Sequence, residues 1–445
     1  MFKIVTIPFF LLLPFNFFGQ QVNYDKINMY MDKQAKVNKF GGTVLVMKND
    51  SVVIKKAYGF ANMEWNIKND VDTKFVLASI TKHFTAIAIT QLLERKQLNI
   101  DSKLSEFFPD YPKGDKVTIH MLLTHTSGLP LDFEDLYMDQ TAMSKSEAIE
   151  IIQKKPYLFE PGTNCKYSNI GYFLLSQIIE KISKITFEEF LQKNIFDKAN
   201  MKNTGVSNND SIVSKKASIY YRTGKNYALN PYINWNLNVG LDGIYSTIED
   251  LYLLDRASHG TTLLSEEYKK IMQTQYNKIY PDGGFIDSYG YGIFINPYYN
   301  HGHKLLTHSG GFVGTMTTFD SYPDDNIFIA VLSNNESESH MISYGLAGIL
   351  FNKDVEIPYK HIEITVKSTL LKNFAGTYGD IKIIFSDEKL YLNNLDTELL
   401  QESEMKFFRK DNNDRTINFL VNKKGKVIGL ELRKGGVKEI KNKTN

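Results

Sequence analysis

The feature that most restricts the fold is the segment Ala78–Leu93, which is apolar on nearly every side when drawn as a helix. A helix that lacks a polar face has to lie in the middle of a large hydrophobic core. The chain has 445 residues, of which 42% are hydrophobic, so it is long enough to build such a core within two or three domains. We therefore expect a globular protein organised around this helix.

Strand patterns lie on both sides of that helix along the sequence. Gly42–Met47 and Val52–Ala57 are short apolar runs separated by a turn sequence, which is typical of a β-hairpin, and Ile327–Leu332 is a buried strand much later in the chain. Early and late strands can pair, so residues 21–355 are predicted to form an α+β fold, an antiparallel sheet flanked by helices with a mostly helical insert. The predicted helices of this region are Ser146–Lys154, Gly171–Ile182, Phe187–Ile195 and Met341–Leu350.

Residues 360–445 differ in pattern from the rest of the chain. They contain short alternating strands and no helical period beyond Ser368–Phe374, and Ile357–Pro358 marks the junction. The pattern predicts a separate, small all-β domain, either a barrel or a sandwich. The clearest strands are Ile381–Phe385, Lys389–Leu392, Thr416–Val421 and Val427–Leu432.

The end of this region is rich in basic residues. Eight cations face only Glu431 and Glu439. We interpret them as solvated strand edges, and a weak contact with an anionic polymer of the cell envelope is the alternative. These cations are Lys423, Lys424, Lys426, Arg433, Lys434, Lys438, Lys441 and Lys443.

Residues 1–20 are typical of a secretory signal peptide. Lys3 precedes the apolar run Ile4–Phe18, and a polar sequence follows. The run is short for a membrane-spanning helix and is interrupted by Pro8 and Pro14, so we favour a cleaved signal over a retained anchor. The sequence therefore predicts an exported protein, either periplasmic or secreted.

Composition removes several function classes. The net charge of +2 does not favour nucleic acid as a partner. The lone cysteine, Cys165, cannot form an intrachain disulfide and is more often a small core residue than a reactive thiol. His301 and His303 lack further ligands nearby in sequence, so we predict neither a metal nor a cofactor.

Ser79 and Lys82 begin the apolar helix with the pattern S-x-x-K. A lysine three residues after the serine returns to the same helix face. A serine hydroxyl is a weak nucleophile until a base takes its proton, and burial lowers the pKa of a lysine toward the neutral form. A lysine in such apolar surroundings calls for a partner, and this favours catalysis over an ordinary surface pattern.

Two further patterns carry polar groups suited to a substrate. In the first, the Tyr167 hydroxyl can move a proton near a lysine, and the Asn169 amide can both donate and accept hydrogen bonds. In the second, His308 precedes Gly310 and Gly311 within a strand pattern, where glycines let another backbone approach closely. Taken singly, the first pattern favours a tyrosine packed at the start of a helix, and the alternative for the second is a hairpin turn with an incidental histidine.

Together and in this order, the three patterns resemble the serine β-lactamase-like superfamily, on the side of the class C β-lactamases and D-alanyl-D-alanine peptidases. The family's motifs are S-x-x-K, Y-x-N and K/H-x-G. Val117–Leu129, Pro161–Gly162 and Gly243–Thr247 are also similar to family sequences. The resemblance implies a β-lactamase/transpeptidase-like fold, and some members append a C-terminal β domain.

Carried over by position, the resemblance implies that Ser79 is the nucleophile. Lys82 and Tyr167 share the acid–base work, and which of them is the acylation base stays open. Asn169 positions the substrate, and His308 faces its carboxylate side.

The resemblance also places Gly310 among the substrate-binding residues. The backbone N–H groups of Ser79 and Gly311 form the oxyanion hole.

Two departures from the family pattern bear on the substrate. His308 stands where true β-lactamases usually carry lysine, and Leu241–Asp242 stands where small residues are common. The first departure weakens the expectation of efficient antibiotic hydrolysis, and the second predicts a changed pocket wall.

The function implied by the resemblance is acyl transfer to water from a D-amino-acid peptide, a β-lactam or an ester, with a DD-peptidase-like activity foremost. An esterase of the same fold without a cell-wall role is one alternative. A non-catalytic binding module is another, and the three intact motifs argue against it.

Overall fold

The computed structural model describes residues 22–132, 143–224, 226–279, 287–364, 371–410 and 415–444. The predicted signal peptide, residues 1–20, lies outside this range and stays a prediction. Within the described residues, no helix combines the length and the hydropathy needed to cross a bilayer.

The helices of the described residues lie almost entirely before residue 351. The predicted helices are confirmed, with ends shifted by a few residues. The α-helices are α1 (Tyr24–Val37), α2 (Thr81–Glu94), α3 (Leu104–Phe107), α4 (Ile119–Leu123), α5 (Lys145–Ile152), α6 (Asn169–Ser183), α7 (Phe187–Leu191), α8 (Ile248–His259), α9 (Glu266–Met272) and α10 (Ser339–Leu350).

Among the described residues, the strands before residue 334 form one large sheet and three small ones. The large sheet contains β1 (Gly42–Lys48), β2 (Ser51–Tyr58), β10 (Asn277–Ile279), β11 (Asp287–Tyr289), β12 (Phe294–Ile295), β13 (Leu306–Phe312), β14 (Thr315–Tyr322) and β15 (Ile327–Ser333). The small sheets contain β3 (Phe60–Asn62) with β4 (Ile67–Lys68), β5 (Phe75–Val76) with β6 (Gly205–Val206) and β9 (Ile244–Ser246), and β7 (Tyr220–Thr223) with β8 (Asn226–Leu229).

The large sheet joins the two ends of this region, as the sequence predicts. Its order is β10-β11-β12-β13-β14-β15-β1-β2, and every pairing is antiparallel. β1 pairs with β15 from Gly42↔Ser333 to Lys48↔Ile327. The hairpin between β1 and β2 turns at Asn49 and Asp50, whose φ angles of 50° and 57° suit the left-handed residues of a tight turn.

Helix α2 lies where its sequence requires. All residues from Thr81 to Leu93 are buried, and α2 packs against α6, α7 and α9. Because the helix is enclosed on every side, a polar group at its N-terminus is held by packing and has few alternative positions. The α+β fold with a central buried helix is confirmed.

The C-terminal region is a barrel. In its described part, eight strands pair in sequence order, and an antiparallel bridge between Tyr378 and Lys443 joins the first strand to the chain beyond the last one. Closure removes the free sheet edges. The strands are β16 (Gly376–Tyr378), β17 (Ile381–Ser386), β18 (Lys389–Leu392), β19 (Glu398–Gln401), β20 (Lys406–Arg409), β21 (Arg415–Val421), β22 (Val427–Lys434) and β23 (Val437–Asn442).

The barrel contacts the first region through its last hairpin. Val437 pairs with Val355 and belongs to the apolar cluster formed by α1, α10 and one face of the large sheet. The Tyr30 hydroxyl donates to the carbonyl of Gly435 at 2.9 Å. The boundaries at residues 355 and 360 stay a prediction, since the chain runs continuously through this contact.

Several of the barrel's cations already have carboxylate partners. Lys438 lies 2.9 Å from Glu431, and Lys441 lies 2.8 Å from Asp380. Such pairing at exposed strand edges agrees with the interpretation of a solvated surface. Contact with an envelope polymer stays a prediction.

Candidate active site

The serine of the S-x-x-K motif lies on a sharp turn that opens α2. Strand β5 ends at Val76, and Ala78 has a φ of +48°, in the left-handed region that non-glycine residues rarely adopt. A single 3-10 turn, Ala78–Ile80, then leads into the helix. Ser79 is only partly buried, whereas Ala78 and Ile80 are fully buried. Ser79 is therefore the one residue of this turn that solvent can reach.

Ser79 lies between an amine and a carboxyl group. Lys82 Nζ donates to Ser79 Oγ at 2.9 Å, and Ser79 Oγ donates to Asp242 Oδ1 at 3.1 Å. Lys82 Nζ is itself 3.6 Å from Asp242 Oδ1. The predicted contact between Ser79 and Lys82 is present, whereas the sequence indicated Asp242 only as a departure from the family pattern.

The loop that carries Asp242 is fixed by α2. Lys82 Nζ donates to the carbonyl of Leu241 at 3.0 Å, and Thr85 Oγ1 donates to the carbonyl of Gly240 at 2.8 Å. Gly240 has a φ of +81°, and a Cβ there would lie 2.8 Å from the Tyr172 carbonyl oxygen, so only glycine fits. A carboxyl residue in an otherwise apolar loop was the sequence signal for this position.

Burial acts on both ionisable partners of Ser79. Lys82 has no exposed side-chain surface, and the Asp242 side chain is 4% exposed. Burial lowers the pKa of Lys82 and raises that of Asp242, because each charged form loses its hydration. Asp242 and Asp132 oppose the change at Lys82 by favouring its ammonium form.

The aromatic ring of Tyr167 lies over the Lys82 amine. Lys82 Nζ lies 5.1 Å from the centre of the Tyr167 ring. Burial raises the pKa of Tyr167 well above its usual value, although the Ser79 side chain lowers it in part. The structure thus brings the three predicted catalytic side chains together.

His125 supports the Tyr167 ring. The two rings stack with centres 4.3 Å apart. His125 Nδ1 accepts from the Ser168 N–H at 3.0 Å, so a neutral ring carries its proton on Nε2. Burial lowers the pKa of His125 well below its usual value, and the nearby Lys82 lowers it further.

Asn169 is the first residue of α6 and follows Tyr167 by two positions in the sequence. It is 8% exposed, and its Nδ2 donates to Asp132 Oδ2 at 2.9 Å. Because a carboxylate only accepts, this bond fixes which end of the amide is the nitrogen. Within the described part of the chain, the buried Oδ1 has no hydrogen-bond partner.

His308 lies on β13 with both ring nitrogens engaged inside the protein. Nδ1 lies 2.7 Å from the carbonyl of Ser309, which can only accept, and Nε2 lies 3.2 Å from the Tyr289 hydroxyl. The ring is 1% exposed, and burial lowers the pKa of His308 to about 3. A neutral ring so bonded presents no charge to a substrate carboxylate, and the assignment of His308 to substrate binding stays a prediction.

Gly310 lets β13 pass directly behind the turn that carries Ser79. A Cβ at this position would lie 2.1 Å from the carbonyl oxygen of Leu77. Thr317 on the next strand donates to that same oxygen at 2.6 Å. The expected close approach of a second backbone is therefore confirmed, and the second backbone belongs to the serine turn. Gly311, which pairs with Met316, is exposed on the opposite side.

The other chemically suggestive residues lie in ordinary packing. Burial raises the pKa of the Cys165 thiol to about 11. His301 stacks on Tyr344, and His303 stacks on Phe351.

Comparison with known proteins assigns the chain by its sequence. The model of the beta-lactamase family matches residues 30–345. The chain belongs to the beta-lactamase family. The match spans the large sheet, α2 and every predicted site residue, and it supports a hydrolase on this fold.

Three relatives show how far the similarity extends. A penicillin-binding protein of Bacillus subtilis (strain 168) is 28% identical over 83% of this chain and 88% of its own length. The crystal structure of a penicillin-binding protein from Bacillus halodurans is 32% identical, covers 71% of this chain and 96% of its own, and has a TM-score of 0.62. An octameric penicillin-binding protein homologue from Pyrococcus abyssi is 26% identical, covers 94% of this chain and all of its own, and has a TM-score of 0.67.

Proposed function

We propose that this protein is a serine hydrolase that works through an acyl-enzyme on Ser79. The observation that carries the proposal is the position of Ser79 Oγ, 2.9 Å from Lys82 Nζ at the one partly exposed position of the turn. A nucleophile within hydrogen-bond distance of a base, itself held by further groups, is the arrangement that covalent catalysis needs.

The acylation step follows from these positions. Ser79 Oγ loses its proton to neutral Lys82 Nζ and bonds to the substrate carbonyl carbon, whose oxygen takes the negative charge. The backbone N–H groups of Ser79 and Gly311 would stabilise that oxygen. The bond to the leaving group then breaks as the leaving group gains a proton. Attack by water on the ester of Ser79 completes the cycle.

Burial separates the roles of the two acid–base candidates. The raised pKa of Tyr167 keeps its phenol protonated, which suits proton donation to a leaving group. The lowered pKa of Lys82 increases the fraction of free amine, which suits proton acceptance. We therefore propose Lys82 as the acylation base and Tyr167 as the donor.

The finer assignment is a DD-peptidase-like activity on D-amino-acid peptides. Relatives named as penicillin-binding proteins support it, since penicillin binding implies an acyl-accepting serine. We also propose that the protein acts outside the cytoplasm, on the strength of the signal-peptide pattern at residues 1–20.

An esterase activity is the second candidate, and His308 favours it. A buried, neutral imidazole supplies no cation for a substrate carboxylate. We expect penicillins to form an acyl-enzyme slowly and to leave it slowly, while small activated esters turn over. Multi-turnover hydrolysis of a penicillin at the ester rate would contradict this expectation.

The test is intact-mass measurement after exposure to a penicillin, to a fluorophosphonate and to p-nitrophenyl acetate. The wild-type protein should gain the mass of one adduct from the penicillin and from the fluorophosphonate and should hydrolyse p-nitrophenyl acetate, whereas Ser79→Ala should do neither while keeping its circular dichroism spectrum. Ser105→Ala is a matched control, because Ser105 lies on the short helix α3, and it should label normally. Undiminished labelling of Ser79→Ala would reject the proposal.

A further inference from the structure

The carboxyl group of Asp242 contacts the reacting oxygen itself. Ser79 Oγ donates to Asp242 Oδ1 at 3.1 Å, and the Asp242 side chain is 4% exposed. Hydrogen bonds from Lys82 and Thr85 hold the two carbonyl groups that precede Asp242 in the chain, so the position of the carboxyl group is fixed. The proposed acylation step uses Lys82 as the base and leaves this carboxyl group without a part in the reaction.

Acylation changes what Asp242 can contact. Once Ser79 carries an acyl group, its Oγ is an ester oxygen and has no hydrogen to donate. Asp242 Oδ1 then loses the O–H donor that it has in the free site. A buried carboxylate oxygen that loses its donor is destabilised until another donor takes that place. Hydrolysis has to bring such a donor to the site, since its second reactant is water.

We propose that Asp242 is the general base of deacylation, whose carboxylate takes a proton from the water that attacks the acyl-enzyme on Ser79. Lys82 and Asp242 thus serve different halves of the reaction, acylation and deacylation. The inference rests on the proposed function, because it needs an acyl group on Ser79. It concerns the acyl-enzymes of small esters, whose acyl group leaves room for water beside the serine.

The distances in the free site suit this step. A general base has to lie within about 2.6–3.2 Å of the oxygen whose proton it takes, and the attacking oxygen comes to about 3–3.5 Å from the carbonyl carbon before it reacts. That carbon is bonded directly to Ser79 Oγ in the acyl-enzyme, and Asp242 Oδ1 is 3.1 Å from Oγ. A water that donates to Oδ1 therefore reaches the carbon without movement of the loop.

The proposed step returns every group to its starting form. One O–H bond of the water breaks as its proton passes to Asp242 Oδ1, and the water oxygen bonds to the carbonyl carbon, whose oxygen takes the negative charge. When the carbonyl forms again, the bond from this carbon to Ser79 Oγ breaks, and Oγ takes the proton back from Asp242. The product leaves as a carboxylic acid.

Lys82 favours the form of Asp242 that the step requires. Burial raises the pKa of Asp242, which on its own favours the carboxylic acid, and the nearby Lys82 lowers it in part. Lys82 Nζ is 3.6 Å from Asp242 Oδ1. At this distance an ammonium on Lys82 stabilises the carboxylate, and Lys82 becomes an ammonium when it accepts the proton of Ser79.

The test follows p-nitrophenol release from p-nitrophenyl acetate by stopped flow, which separates the two half-reactions. Acylation gives a rapid burst, and deacylation limits the steady rate that follows. In Asp242→Asn a stoichiometric burst should persist, whereas the rate constant of deacylation should fall by about 10²- to 10⁴-fold, the usual contribution of a general base. Intact-mass measurement should then show that this variant accumulates as its acetyl-enzyme.

Asp320→Asn is the matched control. Asp320 is also buried, but it accepts hydrogen bonds from Thr307 and Ser343 on the large sheet and α10. Both rate constants should stay close to those of the wild-type protein, and no acetyl-enzyme should accumulate.

The outcomes separate the inference from the proposed function. If Asp242 only orients Ser79, Asp242→Asn slows the burst and the steady rate together and no acetyl-enzyme accumulates, which overturns the inference. An unchanged rate constant of deacylation in this variant also overturns it. A wild-type protein that forms no adduct on Ser79 rejects the proposed function itself.

A second variant, Asp242→Ala, covers the case in which Asp242→Asn does not fold, since small residues are common at this position in the family. The space left by the carboxyl group admits formate, a small carboxylate that can act as the base. Formate should raise the rate constant of deacylation of Asp242→Ala by about 10-fold or more and leave that of the wild-type protein unchanged. An equal effect of formate on the two proteins, or no effect on either, contradicts the inference.

Discussion

The active-site region buries charged side chains, whereas the barrel carries them on its surface. Next to Ser79, Lys82 has no exposed side-chain surface and its partner Asp242 has 4%. In the barrel, Lys410 pairs with Glu398 while its own side chain remains 60% exposed. The buried groups have lost their hydration, whereas Lys410 at the surface keeps most of its own.

This difference separates what holds the protein together from what it does. The interior of the barrel is an apolar cluster that includes Phe374, Phe407 and Phe419, and its strands close on themselves. The core around α2 encloses an amine and a carboxyl group in place of apolar side chains. Burial of such groups lowers the stability of the folded protein. A cost of that kind is retained where the groups serve chemistry.

The largest effect is expected from removing the buried amine. Lys82→Met keeps the volume of the side chain but takes away the group that accepts the Ser79 proton. We expect kcat/KM for an activated ester to fall by about 10²- to 10⁴-fold, the usual contribution of a general base. Retention of more than a tenth of the wild-type activity would assign the proton transfer to another group, with Asp242 the nearest candidate.

The next effect concerns the strand that supports the serine turn. In Gly310→Ala the added Cβ would lie 2.1 Å from the Leu77 carbonyl oxygen, so the strand or the turn has to move. We expect a loss of about 1–3 kcal/mol in the free energy of unfolding, measured with urea, together with reduced ester hydrolysis. Gly311→Ala is the matched control, since its Cβ would meet only Met316 Sδ at 3.4 Å. Equal stability of the two variants would contradict the argument.

A smaller effect is expected from pH. The pKa of His308 is about 3 in the folded protein and near 6.5 in an unfolded chain. Between these values only the unfolded chain holds the proton, so stability falls as the pH drops below about 6.5, by about 1.4 kcal/mol per pH unit. His308→Gln removes this titration.

The measurement is urea unfolding of both proteins at pH 7 and pH 5. Between pH 7 and pH 5, the free energy of unfolding of His308→Gln should fall by about 2 kcal/mol less than that of the wild-type protein. Identical losses would mean that His308 is not held as a buried neutral ring.

The sequence predicted the parts of this comparison that depend on local pattern. The apolar run Ala78–Leu93 required a buried helix, and the spacing of Ser79 and Lys82 placed both on one face of it. The short alternating strands after residue 376 gave an all-β domain. In each case neighbouring residues carry the signal.

The rest depends on contacts between distant parts of the chain. Asp242 reaches Ser79 only because Thr85 and Lys82 hold its loop from 155 and 159 residues away. Likewise, the pKa of His308 is lowered by burial in the core and by Lys82, which is 226 residues away in the sequence. Closure of the barrel needed the pairing of Tyr378 with Lys443, so barrel and sandwich stayed open alternatives in the sequence.

The smallest effect is expected in the barrel, where the same substitution as at Lys82 can be made at a surface pair. Lys410 Nζ lies 2.6 Å from Glu398, and Lys389 lies 2.7 Å from the other oxygen of that carboxylate. Lys410→Met therefore leaves Glu398 with a cation, and both lysines remain half or more exposed to water. Exposed pairs of this kind contribute less than about 1 kcal/mol, and salt screens them. We expect the free energy of unfolding to change by less than about 1 kcal/mol and ester hydrolysis to stay at the wild-type rate. A fall in activity comparable to that of Lys82→Met would mean that the barrel acts on the site, and the contrast between buried and surface charge would no longer divide function from stability.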